Sequence, residues 1–405
     1  MKRPIAPGLG PNLFRKDALY ALGLLLNPFV YKKGSSVGKL EQWFRQTFKV
    51  SYAVSFNSGR SSLFAILKAF EIGKGDEVIV TGFTCVAVPN AVIWTGATPV
   101  YIDIDNSFTL NPALLEKKIT RKTKAILVQH TFGVPAQMEK ILEIAKNKKI
   151  AVIEDCAHGF GNSYKGKKLG TFGDAAFFSF GRDKAVSATF GGIAITNSEQ
   201  IGKKLRQFEK KQEYPKNGWI IQQIFHPVAF AAILPLYNFL SIGKIILVIF
   251  QKIGLLSFPY TSSERKSDRS GLFVKKLPNV MGALALFQLR RLAEFNNHRK
   301  EISHFYAKAL SLKYSGTIPY LRFPLLVENR DYVLNYCKGK KIYLGKWYSE
   351  IVDPKGTNLE VIGYQRGSCP HAEYAARRII NLPTYPSLTF ADAKKVVEAV
   401  SECIE

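Results

Sequence analysis

From Tyr52 to Asn197 short apolar runs alternate with amphipathic stretches. Runs at Glu77–Thr81, Val100–Ile104, Ala125–Gln129, Ile150–Ile153, Ala175–Phe180 and Ile193–Thr196 read as strands. Between them, Ser61–Glu71 and Gln137–Asn147 have the spacing of amphipathic helices. Strands that are apolar throughout are buried on both faces, so the pattern predicts an α/β layer with a mainly parallel sheet. Ligands of such sheets bind beyond the carboxyl ends of the strands. Further on, 277–312 has the periodicity of one long amphipathic helix, and the remainder to 405 mixes short strands and helices. The division expected is an N-terminal arm with helices (1–50), a large α/β domain (51–200), a basic and apolar insertion (201–276), and a long helix with a smaller C-terminal α+β domain (277–405).

The insertion departs from this rhythm. Ile201 to Lys216 carries six basic residues and two acidic ones, and Trp219 to Gly243 then runs 25 residues without Asp, Glu, Lys or Arg. After Lys244 come IILVIF and IGLLSF, followed by Arg265, Lys266, Arg269, Lys275 and Lys276. About 20 apolar residues suffice to span a bilayer, but Gln222, Gln223, His226, Pro227 and Pro235 interrupt a simple span. Two short helices in the membrane interface, or a shallow hairpin, are expected, with basic flanks toward anionic headgroups and Trp219 and Tyr237 at the boundary. The alternative is a helical subdomain buried against the body or a second subunit. Ala18–Val30 is also apolar and follows basic residues. It starts late for a signal peptide and lacks a small-residue cleavage site, so a retained helix is expected.

Composition narrows the classes. Hydrophobic residues make up 47% of 405, which excludes a mostly disordered chain. Lys and Arg number 57 against 31 Asp and Glu, a formal charge of +26 that attracts nucleic acid or anionic membrane. No zinc-finger spacing, RNA-binding aromatic signature or helix-turn-helix pattern supports nucleic acid, which is not an expected partner. Five cysteines without a CxxC spacing argue against a disulfide framework or zinc cluster. No metal site is expected, and the compartment is taken as cytoplasmic, on the inner face of the cell membrane if the insertion touches lipid.

Candidate chemistry lies at the predicted strand ends. Ser58-Gly59 before a helix offers N-terminal N–H groups to an anion, although serine is also an ordinary N-cap. Asp155 follows one strand and could equally cap a turn, while Ser179 and Lys184 follow another. Together, a phosphate cradle, a carboxylate and a lysine are the parts that a pyridoxal phosphate enzyme needs.

These residues sit in recognisable surroundings. FNSGRSSLFAILKAFEIGKGDEVIVTGFTCVAVPNAV, GATPVYIDID, VQHTFGVPAQMEKILEIA, VIEDCAHGFGNSYKGKKLGTFGDAAFFSFGRDK and NLPTYPSLT resemble the DegT/DnrJ/StrS sugar aminotransferases, in that family's order and spacing. The likeness runs from about Gly34 to Asn197 and again from Leu277 onward. It implies the aspartate aminotransferase fold, fold type I of the pyridoxal phosphate enzymes, here with an apolar helical insertion. Lys184 then matches the lysine bonded to the cofactor, and Asp155 the aspartate that keeps the pyridine nitrogen protonated. His158 stands against the ring's phenolic oxygen, where relatives often have Gln. Ser179 matches the phosphate-binding serine, and Ser58, Gly59 and Arg60 match the cradle, with Arg60 expected to add charge. Cys85 stands where many relatives stack Phe or Trp on the ring. Thr189-Phe190-Gly191-Gly192 replaces a usual Gly-Glu-Gly-Gly, and Phe273-Val274-Lys275-Lys276 lacks the usual partner-subunit asparagine. The resemblance implies a homodimer that takes an amino group from an amino acid, glutamate by likeness, and gives it to a keto-sugar for polysaccharide or glycan biosynthesis. A nucleotide-linked acceptor is expected, and membrane contact would allow a polyprenyl-linked one. The alternatives are a dehydratase, against which Lys184 counts because such members often carry histidine there, and a membrane-associated member without catalysis, motivated by Cys85 and the altered loop.

Overall fold

A computed structural model describes residues 3–258, 262–269, 273–312 and 317–404. Seven strands form the main sheet: β1 Tyr52–Phe56, β2 Glu77–Thr81, β3 Thr98–Ile102, β4 Thr123–Gln129, β5 Ala151–Asp155, β6 Ala175–Ser179 and β7 Gly192–Thr196. Their order is β1-β7-β6-β5-β4-β2-β3, and every neighbouring pair is parallel except the two that β7 makes. β1 had no place among the expected apolar runs: Tyr-Ala-Val-Ser-Phe is short and broken by Ser55, whose hydroxyl and N–H both donate to Glu41.

Val, Ile and Ala line both faces of the central strands because helices cover both. The helix Gly59–Ala69 packs nine of its eleven residues inward, while Met138, Ile141 and Ala145 of the helix Met138–Lys148 fill the opposite face. A polar network secures the end of β5. His130 Nδ1 accepts from the Ala136 N–H, which leaves the Nε2–H to donate to Glu154 at 3.1 Å; Glu154 also accepts from Gly170, Phe172 and Gly173 N–H groups. With every bond of this buried group accounted for, its role is structural.

The helix Glu199–Lys210, which the sequence reading gave to the insertion, buries Ile201 and Leu205 against β1 and the helix Gly59–Ala69. The expected single long helix is two, Asn279–Leu289 and Leu292–Ala309. The break falls at Arg291 (φ −114°, ψ 6°), whose guanidinium pairs with buried Asp17 and lies over Phe14, Phe287 and Phe295. That partner is 274 positions away, so periodicity carries no trace of it.

In the C-terminal domain Phe323–Leu326 pairs antiparallel with Ile379–Leu382, flanked by the helices Arg330–Gly339, Pro370–Arg378 and Phe390–Ile404. Val352–Asp353 adds a parallel pairing with Thr84–Cys85, stitching this domain to the sheet domain. The insertion is a helical hairpin, Asn217–Leu236 and Ile242–Lys252. Its first helix is long and apolar enough to cross a membrane, yet about half of it is buried, against the helix Arg15–Leu25 and the second hairpin helix. The N-terminal arm crosses between the domains, with the Tyr343 N–H donating to the Ile5 carbonyl.

Candidate active site

The carboxyl ends of β1, β5 and β6, the arm, the hairpin and the C-terminal domain enclose a cavity of about 680 Å³. All the candidate residues Ser58, Gly59, Arg60, Cys85, Asp155, His158, Ser179 and Lys184 line it. Topology explains the convergence. Adjacent parallel strands deliver Asp155 and Ser179 to the same edge, and β1 leads directly into the Ser58 cap.

Ser58 caps the helix Gly59–Ala69, its Oγ accepting from the Ser61 N–H and lying 2.8 Å from Ser61 Oγ. The first N–H groups of that helix have no acceptor one turn earlier, which makes this end anion-binding. Close approach is built in: a Cβ on Gly59 would lie 2.9 Å from Ser179 Cβ, and one on Gly192 would lie 2.5 Å from Gly59 N. The glycines of the altered Thr189-Phe190-Gly191-Gly192 loop thus let β7 press against the cradle. The Arg60 guanidinium pairs with Glu264, so its charge is balanced within the chain. Of Phe273–Lys276, the Lys275 carbonyl accepts from the Asn57 N–H, which fastens this segment to the cradle.

Asp155 is buried, and burial pushes its carboxyl up to about 6; the hydrogen bond from the Ala157 N–H and the Lys184 charge only partly offset it. A pyridinium N–H is the partner such a carboxylate lacks. His158 is held well below its usual range by burial, with Lys184 and Arg322 adding to the effect, and is neutral. Its Nδ1 accepts from the Phe132 N–H, leaving the Nε2–H to point at the Tyr348 hydroxyl, 3.5 Å away. Lys184 Nζ lies 4.6 Å from the centre of the Trp347 ring. Phosphate cradle, carboxylate and amine at three strand ends of one cavity fit pyridoxal 5′-phosphate.

Cys85 lines the wall as a small, half-buried group, its Sγ accepting from the Ala87 N–H at 3.5 Å. The aromatic surface comes instead from Trp347, stacked on His158 at 5.2 Å and 6°, with the Arg322 guanidinium 3.4 Å from its ring centre. Asn381 fixes Trp347 by bonding both its N–H and its carbonyl. Sequence reasoning missed Trp347, Tyr348 and Arg322 because GKWYSE and YLRF carry no motif. Arg182 was missed as well. Two positions before Lys184, it bonds Gln223 and Ser257, so the lysine loop is tied to the hairpin. The hairpin in turn contributes His226, Phe230, Tyr237, Leu247 and Gln251 to the cavity wall.

Comparison with known proteins agrees with this geometry. GDP-perosamine synthase of Escherichia coli O157:H7 is 29% identical over 408 residues, covering 98% of each chain. DesV of S. venezuelae superposes with a TM-score of 0.74 at 26% identity, over 96% of this chain and 95% of its own. Spr1654 of Streptococcus pneumoniae, in its PMP-form, superposes with a TM-score of 0.75 at 20% identity over 100% of both chains, a likeness of fold. The profile of the DegT/DnrJ/EryC1/StrS aminotransferase family matches residues 15–219 and 249–401. With its lysine, carboxylate and phosphate cradle converging on one cavity, the chain belongs to that family and is a pyridoxal phosphate-dependent sugar aminotransferase.

Proposed function

We propose that this aminotransferase moves the amino group of glutamate to a nucleotide-linked keto-sugar used in cell-surface polysaccharide biosynthesis. The observation that carries the reading is the convergence of Lys184, Asp155 and the Ser58–Gly59–Ser179 cradle on one cavity large enough for a cofactor and a sugar. Exposed Arg265, Lys346 and Lys355 line its rim and suit the diphosphate of a nucleotide sugar. Bound pyridoxal phosphate supplies the electron sink and carries the amino group between donor and acceptor. Asp155 would hold a proton on the pyridine nitrogen of the bound cofactor. As a free amine, Lys184 Nζ would take the proton from the donor's α-carbon in the first half-reaction and, in the second, would give one to the acceptor's former carbonyl carbon. Neutral His158, in the cavity wall, would offer its Nε2–H as a hydrogen-bond donor to the bound cofactor. A homodimer, and a peripheral place on the inner face of the cell membrane, belong to the same reading.

The test is the visible spectrum of the purified protein before and after glutamate, with Lys184→Ala beside it. A cofactor band that shifts with glutamate and is altered in the variant supports the reading. Absence of any band after pyridoxal phosphate is added would sink it.

A further inference from the structure

We infer that the helical hairpin Asn217–Lys252 is a docking face for an anionic lipid bilayer, on which the enzyme lies without crossing it. The inference deepens, and rests on, the membrane part of the reading above by assigning it a surface.

The hairpin is where this chain departs from its family, since the segment between the matched stretches is 220–248. On its second helix, Leu247 and Gln251 look into the cavity one turn apart. Ile245, Val248, Ile249 and Lys252 form another stripe of the same helix and are exposed. The turn between the helices presents Phe239 and Leu240, the latter 80% exposed, and the segment after them presents Ile253, Leu255 and Phe258. Beside the first hairpin helix packs Arg15–Leu25, where exposed Arg15, Leu19, Leu22 and Leu26 share one stripe that runs on to Phe29, 90% exposed. So many large apolar groups on adjoining elements exceed the scattered exposure that water tolerates, and mark an interaction surface.

Charge selects the occupant. From Tyr214 to Ser263 there are 50 residues without one Asp or Glu, while Lys216, Lys244 and Lys252 are retained. Each apolar stripe carries a cation, Lys252 on the hairpin and Arg15 on its neighbour, placed for its stem to lie along lipid while its head reaches phosphate. An apolar face with basic residues and no acidic ones complements an anionic interface.

Polar anchors keep the hairpin from leaving the body to span the bilayer. Buried Gln223 accepts from Arg182 of the lysine loop, and Asn238 in the hairpin turn accepts from the Tyr343 hydroxyl of the C-terminal domain at 3.1 Å. The hairpin therefore lies flat, its outer stripe toward lipid and its inner stripe toward the reaction cavity, one helix thickness of about 10 Å apart.

The experiment is flotation of the cofactor-loaded protein with vesicles of POPC alone and of POPC with 30% POPG, at low and high salt. The comparison variants are Ile245→Glu with Ile249→Glu, and separately Leu22→Glu with Leu26→Glu. Wild type is expected to float with the POPG vesicles, several-fold less with POPC alone or at high salt. The Ile245/Ile249 variant should bind at least tenfold less, with its cofactor band, glutamate response and oligomeric state unchanged. The Leu22/Leu26 pair, on another helix, checks that any loss is not misfolding of the hairpin. Wild type that fails to float while its band responds to glutamate overturns the docking face and leaves the aminotransferase reading standing. Undiminished flotation of the variants, or a fall from dimer to monomer on substitution, also overturns it, and the latter makes the face a contact between subunits.

Discussion

Replacing Asp155 by Asn should stabilise the cofactor-free protein while weakening its hold on the cofactor. In the unfolded chain this carboxyl titrates near 3.8, and in the folded cavity burial moves it up to about 6. At 1.36 kcal/mol per pH unit the difference is about 3 kcal/mol. The sign follows from proton binding. Between the two values the folded state holds a proton that the unfolded state has lost, so stability falls as pH rises through this window and stays low above it. Asn is neutral and keeps an oxygen for the Ala157 N–H, so it avoids the loss. At about 2.1 cal/mol/K per residue over 405 residues, 3 kcal/mol shifts Tm by about 3–4 °C. Thermal melts of stripped protein should therefore show Asp155→Asn melting about 3–4 °C above wild type at pH 8, with the difference vanishing below pH 4. Adding pyridoxal phosphate should reverse the order, because only the carboxylate gains a pyridinium partner. A stripped variant that melts at or below wild type at pH 8, or equal gains on loading, would refute the placement of Asp155 as an uncompensated carboxylate awaiting the ring.

Gly192→Ala should press its Cβ on Ser58 and Gly59 backbone that cannot swing away, costing about 1–3 kcal/mol and opening the cradle; pyridoxal phosphate titration should show affinity lowered about tenfold, and an unchanged value would place the phosphate elsewhere. Trp347→Ala removes the ring stacked on His158, a contact of about 1 kcal/mol, so the cofactor should bind about fivefold more weakly with little change in fold by circular dichroism. Arg291→Met strands the buried Asp17 carboxylate at about 3–5 kcal/mol, readable as a lower Tm, and adding Asp17→Leu should restore much of it.

The parallel sheet was legible because its strands are buried on both faces, a condition that local sequence must meet residue by residue with Val, Ile and Ala. β1 escaped notice for the same reason in reverse: Ser55 breaks the apolar run and is acceptable only because Glu41 accepts hydrogen bonds from its N–H and its hydroxyl. The break at Arg291 was invisible since the helical periodicity on either side is intact, and only a distant carboxylate makes the interruption favourable.

The candidate site divides along the same line. Ser58, Gly59, Asp155, Ser179 and Lys184 could be named from the chain alone, because cap, strand end and loop are local features and a parallel sheet must bring its carboxyl ends to one edge. Trp347 beside His158, Glu264 on Arg60, and the arm and hairpin closing the cavity were decided only by tertiary structure. Local sequence states what each segment can form, but a wall shared by segments hundreds of residues apart depends on packing between them, and no single segment encodes it.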